Sequence, residues 1–152
     1  MKVAKNSSSV TNLQQWVLVV FRIIIGWHFL YEGIVKLLDP EWSAESFLIN
    51  SRSFLSGFFQ WIVANPAILK VVNLLNVYGL ILIGLGLFFG FMARIAVYSG
   101  ILLLLFYYVA YPPFQGLNFG FPQEGQYLVV NKTFIELTAL VVLSFFPGTL
   151  NI

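Results

Sequence analysis

The sequence predicts an all-α integral membrane protein, a four-helix bundle with an interfacial amphipathic helix between its first and second spans. Three observations lead there. Hydrophobic residues make up 59% of the 152 and charged residues 9%, whereas soluble domains are about 45–50% apolar and about 25% charged. Mean hydropathy is +0.87. Four apolar stretches, most of them near the roughly 20 residues a helix needs to cross the hydrocarbon, are separated by proline, glycine and turn residues. That length suits a single domain over residues 1–152 and leaves no room for multi-domain machinery.

Span 1 covers residues 13–38, interrupted by Arg22, His28, Glu32 and Lys36. Lys2 and Lys5 precede it as in a signal peptide, but its core is too long and too charged and lacks a small-x-small cleavage site, so it is expected to be retained. Span 2 covers 67–89, following Pro66, a residue suited to a first helical turn, with Gly84, Gly86 and Gly90 toward its end. Span 3 covers 93–111 and is stopped by Pro112 and Pro113, because proline lacks the amide donor and restricts the residue before it. Span 4 covers 131–146 before Pro147; it is short, and a start near Tyr127 would lengthen it.

Between spans 1 and 2, residues 41–63 place Phe47, Phe54, Leu55, Phe58 and Ile62 near helical spacing, with Ser53, Ser56 and Gln60 off that stripe. Trp42 and Trp61 flank the segment, as expected where amphipathic rings sit at headgroup level, so it reads as an interfacial helix. The other long connection, 112–130, is rich in glycine, proline and aromatics and reads as an ordered cap or lid.

Charge sets the orientation and narrows the function. Eight basic and six acidic residues are scattered singly, without the basic clusters that bind a phosphate backbone, so nucleic acid is not an expected partner. Lys2, Lys5 and Arg94 fall on one side and the acid-rich 39–66 connection on the other; the positive-inside rule then puts both termini in the cytoplasm and both long connections outside. The chain has no cysteine, which excludes disulfides, thiol catalysis and thiolate metal sites. No metal site is read from the sequence, no catalytic residue can be named, and any redox role must borrow a cofactor.

Ionisable groups inside a span are expensive and therefore point to function. At 100° per residue, His28, Glu32 and Lys36 lie at about 240°, 280° and 320° from Arg22, so all four share about one third of the circumference. Such a stripe must face protein or water. With antiparallel spans, Glu32, Asn73, Asn76, Tyr107, Tyr108 and Glu136 fall in one slab on the outer side of the midplane, with Lys36, Lys70, Tyr111, Asn131 and Lys132 just above. The expected ligand-binding set is His28, Glu32, Lys36, Asn73, Asn76, Tyr107, Tyr108, Asn131, Lys132 and Glu136. Both glutamates are expected to be protonated or paired, with Lys36 and Lys132 as partners. An acid and a base at this depth among aromatics suit a polar ring head with an apolar tail, as in a quinone, although a lipid headgroup or sugar would use the same groups. The plain alternative is an i,i+4 ion pair of Glu32 with Lys36, a core His28, snorkelling lysines and an interfacial tyrosine belt. Gly79, Gly86 and Gly90 read as close helix packing.

The run from Phe21 to Leu37, with Arg22, Gly26 and then Gly33-Ile34-Val35-Lys36-Leu37, resembles the first helix of the DoxX/DoxD family of small four-span bacterial membrane proteins. The stretch from Gly84 to Arg94 resembles that family's glycine-rich turn ending in arginine, with Gly90-Phe91-Met92 intervening, and 131–140 is similar to its fourth span. The resemblance covers nearly the whole chain. It implies a four-helix bundle in the bacterial inner membrane, beside a protein partner, as a subunit of an oxidoreductase complex such as a thiosulfate:quinone oxidoreductase. Arg22, Lys36, Arg94, Asn131 and Glu136 match family positions, and Gly26 and Gly33 belong to the same motif. A quinone, held non-covalently, is the cofactor this implies. A non-catalytic scaffold docking a partner is the alternative, and a small-solute transporter is a weaker one, since no inverted repeat or broken helix supports it.

Overall fold

The structure, a computed structural model, describes residues 11–51, 53–112, 126–127, 129–146 and 148, and these are mostly helical. Helix α1 (Asn12–Leu38) opens on a capping box: the Gln14 amide donates to Thr11 Oγ1 at 3.4 Å, and the Thr11 amide donates to Gln14 Oε1 at 2.9 Å. It ends at Asp39, held extended before Pro40. Two short helices follow, α2 (Glu45–Ile49) and α3 (Ser56–Ala64). Helix α4 (Pro66–Phe89) carries proline at its first turn and ends on Gly90, whose φ of 75° is the left-handed conformation favoured at helix ends. Met92, at φ 53°, completes the tight reversal into α5 (Ala93–Ala110). Strands β1 (Gln126–Tyr127) and β2 (Val130–Asn131) pair antiparallel ahead of α6 (Lys132–Ser144).

Helices α1, α4 and α5 are each long and apolar enough to cross a membrane. At about 1.5 Å per residue, α6 is roughly 20 Å long, short of the roughly 30 Å hydrocarbon. The earlier start near Tyr127 does not occur, because Gln126 and Tyr127 pair as a strand with Asn131 and Val130, and Asn131 caps the helix by accepting from the Phe134 amide at 2.9 Å. Spans 1 to 3 agree with the structure to within a residue at each end, while α6 ends at Ser144, two residues before the expected Phe146.

Helix α4 packs along α1, α5 joins α4 to α6, and α6 touches α1. Glycine sets the closest of these approaches. A methyl group at Gly26 would lie 2.6 Å from the Phe88 backbone nitrogen, at Gly33 2.9 Å from that of Ile81, and at Gly84 2.5 Å from that of Leu30. The α1 and α4 backbones therefore touch across three glycines. Gly86 packs on Ala96, but Gly79 meets nothing within 4 Å, so its assignment to close packing is corrected: it faces open space on α4. Phe29, Leu80, Leu87, Val97, Leu140 and Leu143 fill the shared core.

The interfacial segment differs from expectation. It is two helices rather than one, because the buried Ser51 and Ser53 offer side-chain bonds where a helix would need backbone ones. Ser51 Oγ donates to the Ala110 carbonyl at 2.7 Å, and Ser53 Oγ accepts from the Leu55 amide at 3.1 Å. The inward stripe is Leu48, Phe59 and Ile62, packed with Ala44 and Ala110, while the expected Phe54 and Phe58 point outward. Residues 113–125, most of the expected cap, lie outside the described residues, as do Lys2 and Lys5.

Candidate functional site

Where α1 ends, α5 ends and α6 begins, beside Asn76 of α4, the structure forms a half-open cavity of about 420 Å³, within the size range of small-ligand sites. Its centre is Lys36. The ammonium lies 3.0 Å from Glu32 Oε1, donates to Asn76 Oδ1 at 3.0 Å and to the Tyr107 hydroxyl at 3.4 Å, and stands 4.8 Å from the centre of the Trp42 ring. Asn76 Nδ2 donates to the same Tyr107 oxygen at 2.6 Å. Each bond joins a different element: Glu32 comes from one turn earlier on α1, Asn76 from α4, Tyr107 from α5 and Trp42 from the segment before α2.

Two consequences follow from counting donors. The three ammonium hydrogens are matched by three acceptors, and the Glu32 carboxylate balances the charge, so the cavity is close to neutral. The Tyr107 oxygen accepts twice, which leaves its own hydrogen as a donor. Aromatic walls complete the space: Phe47 meets the Tyr107 ring edge-on and stacks on Tyr111, both with centroids 5.8 Å apart. A flat polar head fits such surroundings, stacking on the aromatic walls and accepting from the Tyr107 hydroxyl.

Of the ten expected ligand-binding residues, five line this cavity: Glu32, Lys36, Asn76, Tyr107 and Asn131. The other five lie elsewhere. Asn73 accepts from the Ala44 amide at 2.9 Å and donates to Ser43 Oγ at 3.2 Å, fastening the cavity wall from behind. Tyr108 turns away, its hydroxyl donating to the Val129 carbonyl at 2.9 Å. Lys132 is exposed. The expected partnership of Lys132 with Glu136 is replaced, because Glu136 Oε1 lies 2.8 Å from His28 Nδ1 across the α1 and α6 contact. That pair sits one helical turn below the cavity.

The motif residues have packing roles. Arg22 is wholly buried at the opposite end of the helices from the cavity, its guanidinium lying against Gly90 at the C-terminal end of α4, where a methyl on that glycine would stand 2.9 Å from it. Gly26 and Gly33 hold α1 against α4, and Arg94 is exposed at the start of α5. Sequence reasoning missed Trp42 and Phe47, which read as interface residues. The signal available was their position just after Pro40, where a chain reversing over the end of α1 returns to Lys36. Compared with known protein families, curated proteins and solved structures, the chain matches none of them.

Proposed function

We propose that this chain is a bacterial inner-membrane protein whose helices α1, α4, α5 and α6 form a four-helix membrane bundle, and that its outer-end cavity binds the ring head of a quinone or similar amphiphile for an oxidoreductase complex. The observation that carries the reading is the cavity itself: a space of about 420 Å³ with a neutral polar floor and aromatic walls. Membrane insertion is supported by the outward faces of the long helices. Only 28%, 28% and 33% of the residues in their most apolar windows are buried, and exposed residues such as Ile24, Leu75, Leu82 and Leu102 need an apolar medium. The resemblance to DoxX-like chains supports the placement beside redox enzymes.

The test uses a variant that keeps Trp42 as its sole tryptophan, with Trp16, Trp27 and Trp61 changed to phenylalanine, in lipid nanodiscs. A short-chain benzoquinone should quench Trp42 saturably, with one site per chain, and Lys36→Met should abolish the saturable component. Quenching that only rises linearly with quinone is partitioning into lipid and rejects the site. A docking scaffold is the second reading, favoured by the outward Phe54, Phe58 and Trp61 of the α3 region, of which Phe58 and Trp61 stack with centroids 6.0 Å apart. It predicts a stable protein complex with no quinone quenching.

A further inference from the structure

One turn beneath the cavity, His28 and Glu136 face each other near the middle of the bundle, where structural needs alone would favour apolar residues. Nδ1 and Oε1 are 2.8 Å apart, and the side chains are 32% and 19% exposed. The contact is short, but Nδ1 has no aligned hydrogen-bond partner among the described residues. A purely structural pair in a dry site gains its stability from alignment, and without it the desolvation of both groups is poorly repaid. Above the pair on α1 stands Glu32, four residues on and about 6 Å along the axis. Glu32 is a cavity wall, so the stripe His28, Glu32, Lys36 runs from mid-bundle into the ligand space.

We propose that His28 and Glu136 are the cavity's proton station, a further functional site that accepts one proton from a hydroxylated ring head bound above. This deepens the reading of the preceding subsection and rests on it. The step is acid–base and needs no oxidant. The O–H bond of a phenol or hydroquinone head breaks, and the electron pair stays on its oxygen as a phenolate that accepts the free hydrogen of the Tyr107 hydroxyl. Glu32 takes the proton and passes it down, and a new N–H bond forms on His28, whose imidazolium then faces the Glu136 carboxylate. Charge is conserved, with one negative charge gained at the head and one positive charge gained at the pair. Other groups around the pair do not duplicate this role. On α1, Lys36 is a cation committed to Glu32, Asn76 and Tyr107; on α6, Lys132 is a cation exposed at the helix start. The α4 amide of Asn76 and the α5 hydroxyl of Tyr107 belong to the cavity above, where they bond Lys36 and each other.

The experiment counts protons. The probe is an alkyl-substituted 4-nitrophenol, whose phenolate is yellow, added at a pH where the free probe is neutral to the sole-Trp42 protein in nanodiscs and weakly buffered medium. Phenolate formed is read by absorbance, binding by Trp42 quenching and protons released by electrode. Phenolate formed minus protons released is the number retained by the protein. The expected value is about one per bound probe for wild type and zero for His28→Phe/Glu136→Leu, an apolar replacement that keeps the packing volume. Glu136→Gln, a milder change, should also retain none, and it serves if the double variant unfolds. Binding with no retained proton in wild type overturns the proton station and leaves the cavity reading intact. One proton retained in all variants also overturns it, since the base is then elsewhere. Failure of the probe to bind in a saturable way overturns both.

Discussion

Replacing Gly84 by alanine tests the claim that α1 and α4 are held together by backbone contact. The added methyl would stand 2.5, 2.7 and 2.8 Å from the nitrogen, Cα and Cβ of Leu30, whereas ordinary contact begins near 3.4 Å. Two of those atoms are backbone, so no rotamer change relieves the clash, and the helices must part by up to about 0.9 Å. Over-packing of this kind costs about 1–3 kcal/mol, while the helix propensity of alanine over glycine returns up to about 1 kcal/mol. The expected net loss is about 1–2 kcal/mol. Gly79→Ala, on the same helix with nothing within 4 Å, should be neutral or gain up to about 1 kcal/mol. Unfolding of the two variants in mixed micelles with increasing SDS, followed by circular dichroism, should separate them by about 1–3 kcal/mol. The Gly84 variant should also lose quinone quenching of Trp42, because parting α1 from α4 stretches the 3.0 Å bond between Lys36 and Asn76. Equal stabilities would refute the packing argument.

Three other outcomes are expected. Lys36→Met leaves the Glu32 carboxylate, Asn76 and Tyr107 without their common donor and should weaken quinone affinity at least about tenfold, or about 1.4 kcal/mol, while Gly79→Ala leaves affinity unchanged; isothermal titration in nanodiscs decides. Asn73→Ala removes both bonds to Ser43 and Ala44 and should cost about 1–2 kcal/mol, with Trp42 emission shifted to the red as the wall segment loosens; an unshifted spectrum would show that the wall is held by other contacts. Alkaline phosphatase fused after Ser53 and after Gly120 should be active in bacteria, since both connections are expected outside, and an inactive pair would reverse the orientation.

Composition and spacing determined the four helices, their ends and the polar stripe on α1, because each follows from local rules: apolar length, proline at Pro66 and Pro112, and the 100° step from His28 to Glu32 to Lys36. The same rules placed Glu32, Asn76 and Tyr107 at one depth with Lys36 and Asn131 just above, and the structure brings those five around one space. Depth along a helix axis is legible in sequence; direction around a neighbouring helix is not. Asn73 and Tyr108 share that depth but point at Ser43 and Val129, and Glu136 turns to His28 rather than to Lys132 on its own helix. Interhelical rotation made those choices, and it is fixed by the backbone contacts at Gly26, Gly33 and Gly84, whose partners lie some fifty residues away in the chain. The break between α2 and α3 likewise depends on a carbonyl at Ala110, far along the sequence from Ser51. Sequence thus determined which residues are costly to bury, and tertiary packing alone decided which of them repay each other, because pairing energy depends on distances between segments that no local spacing encodes.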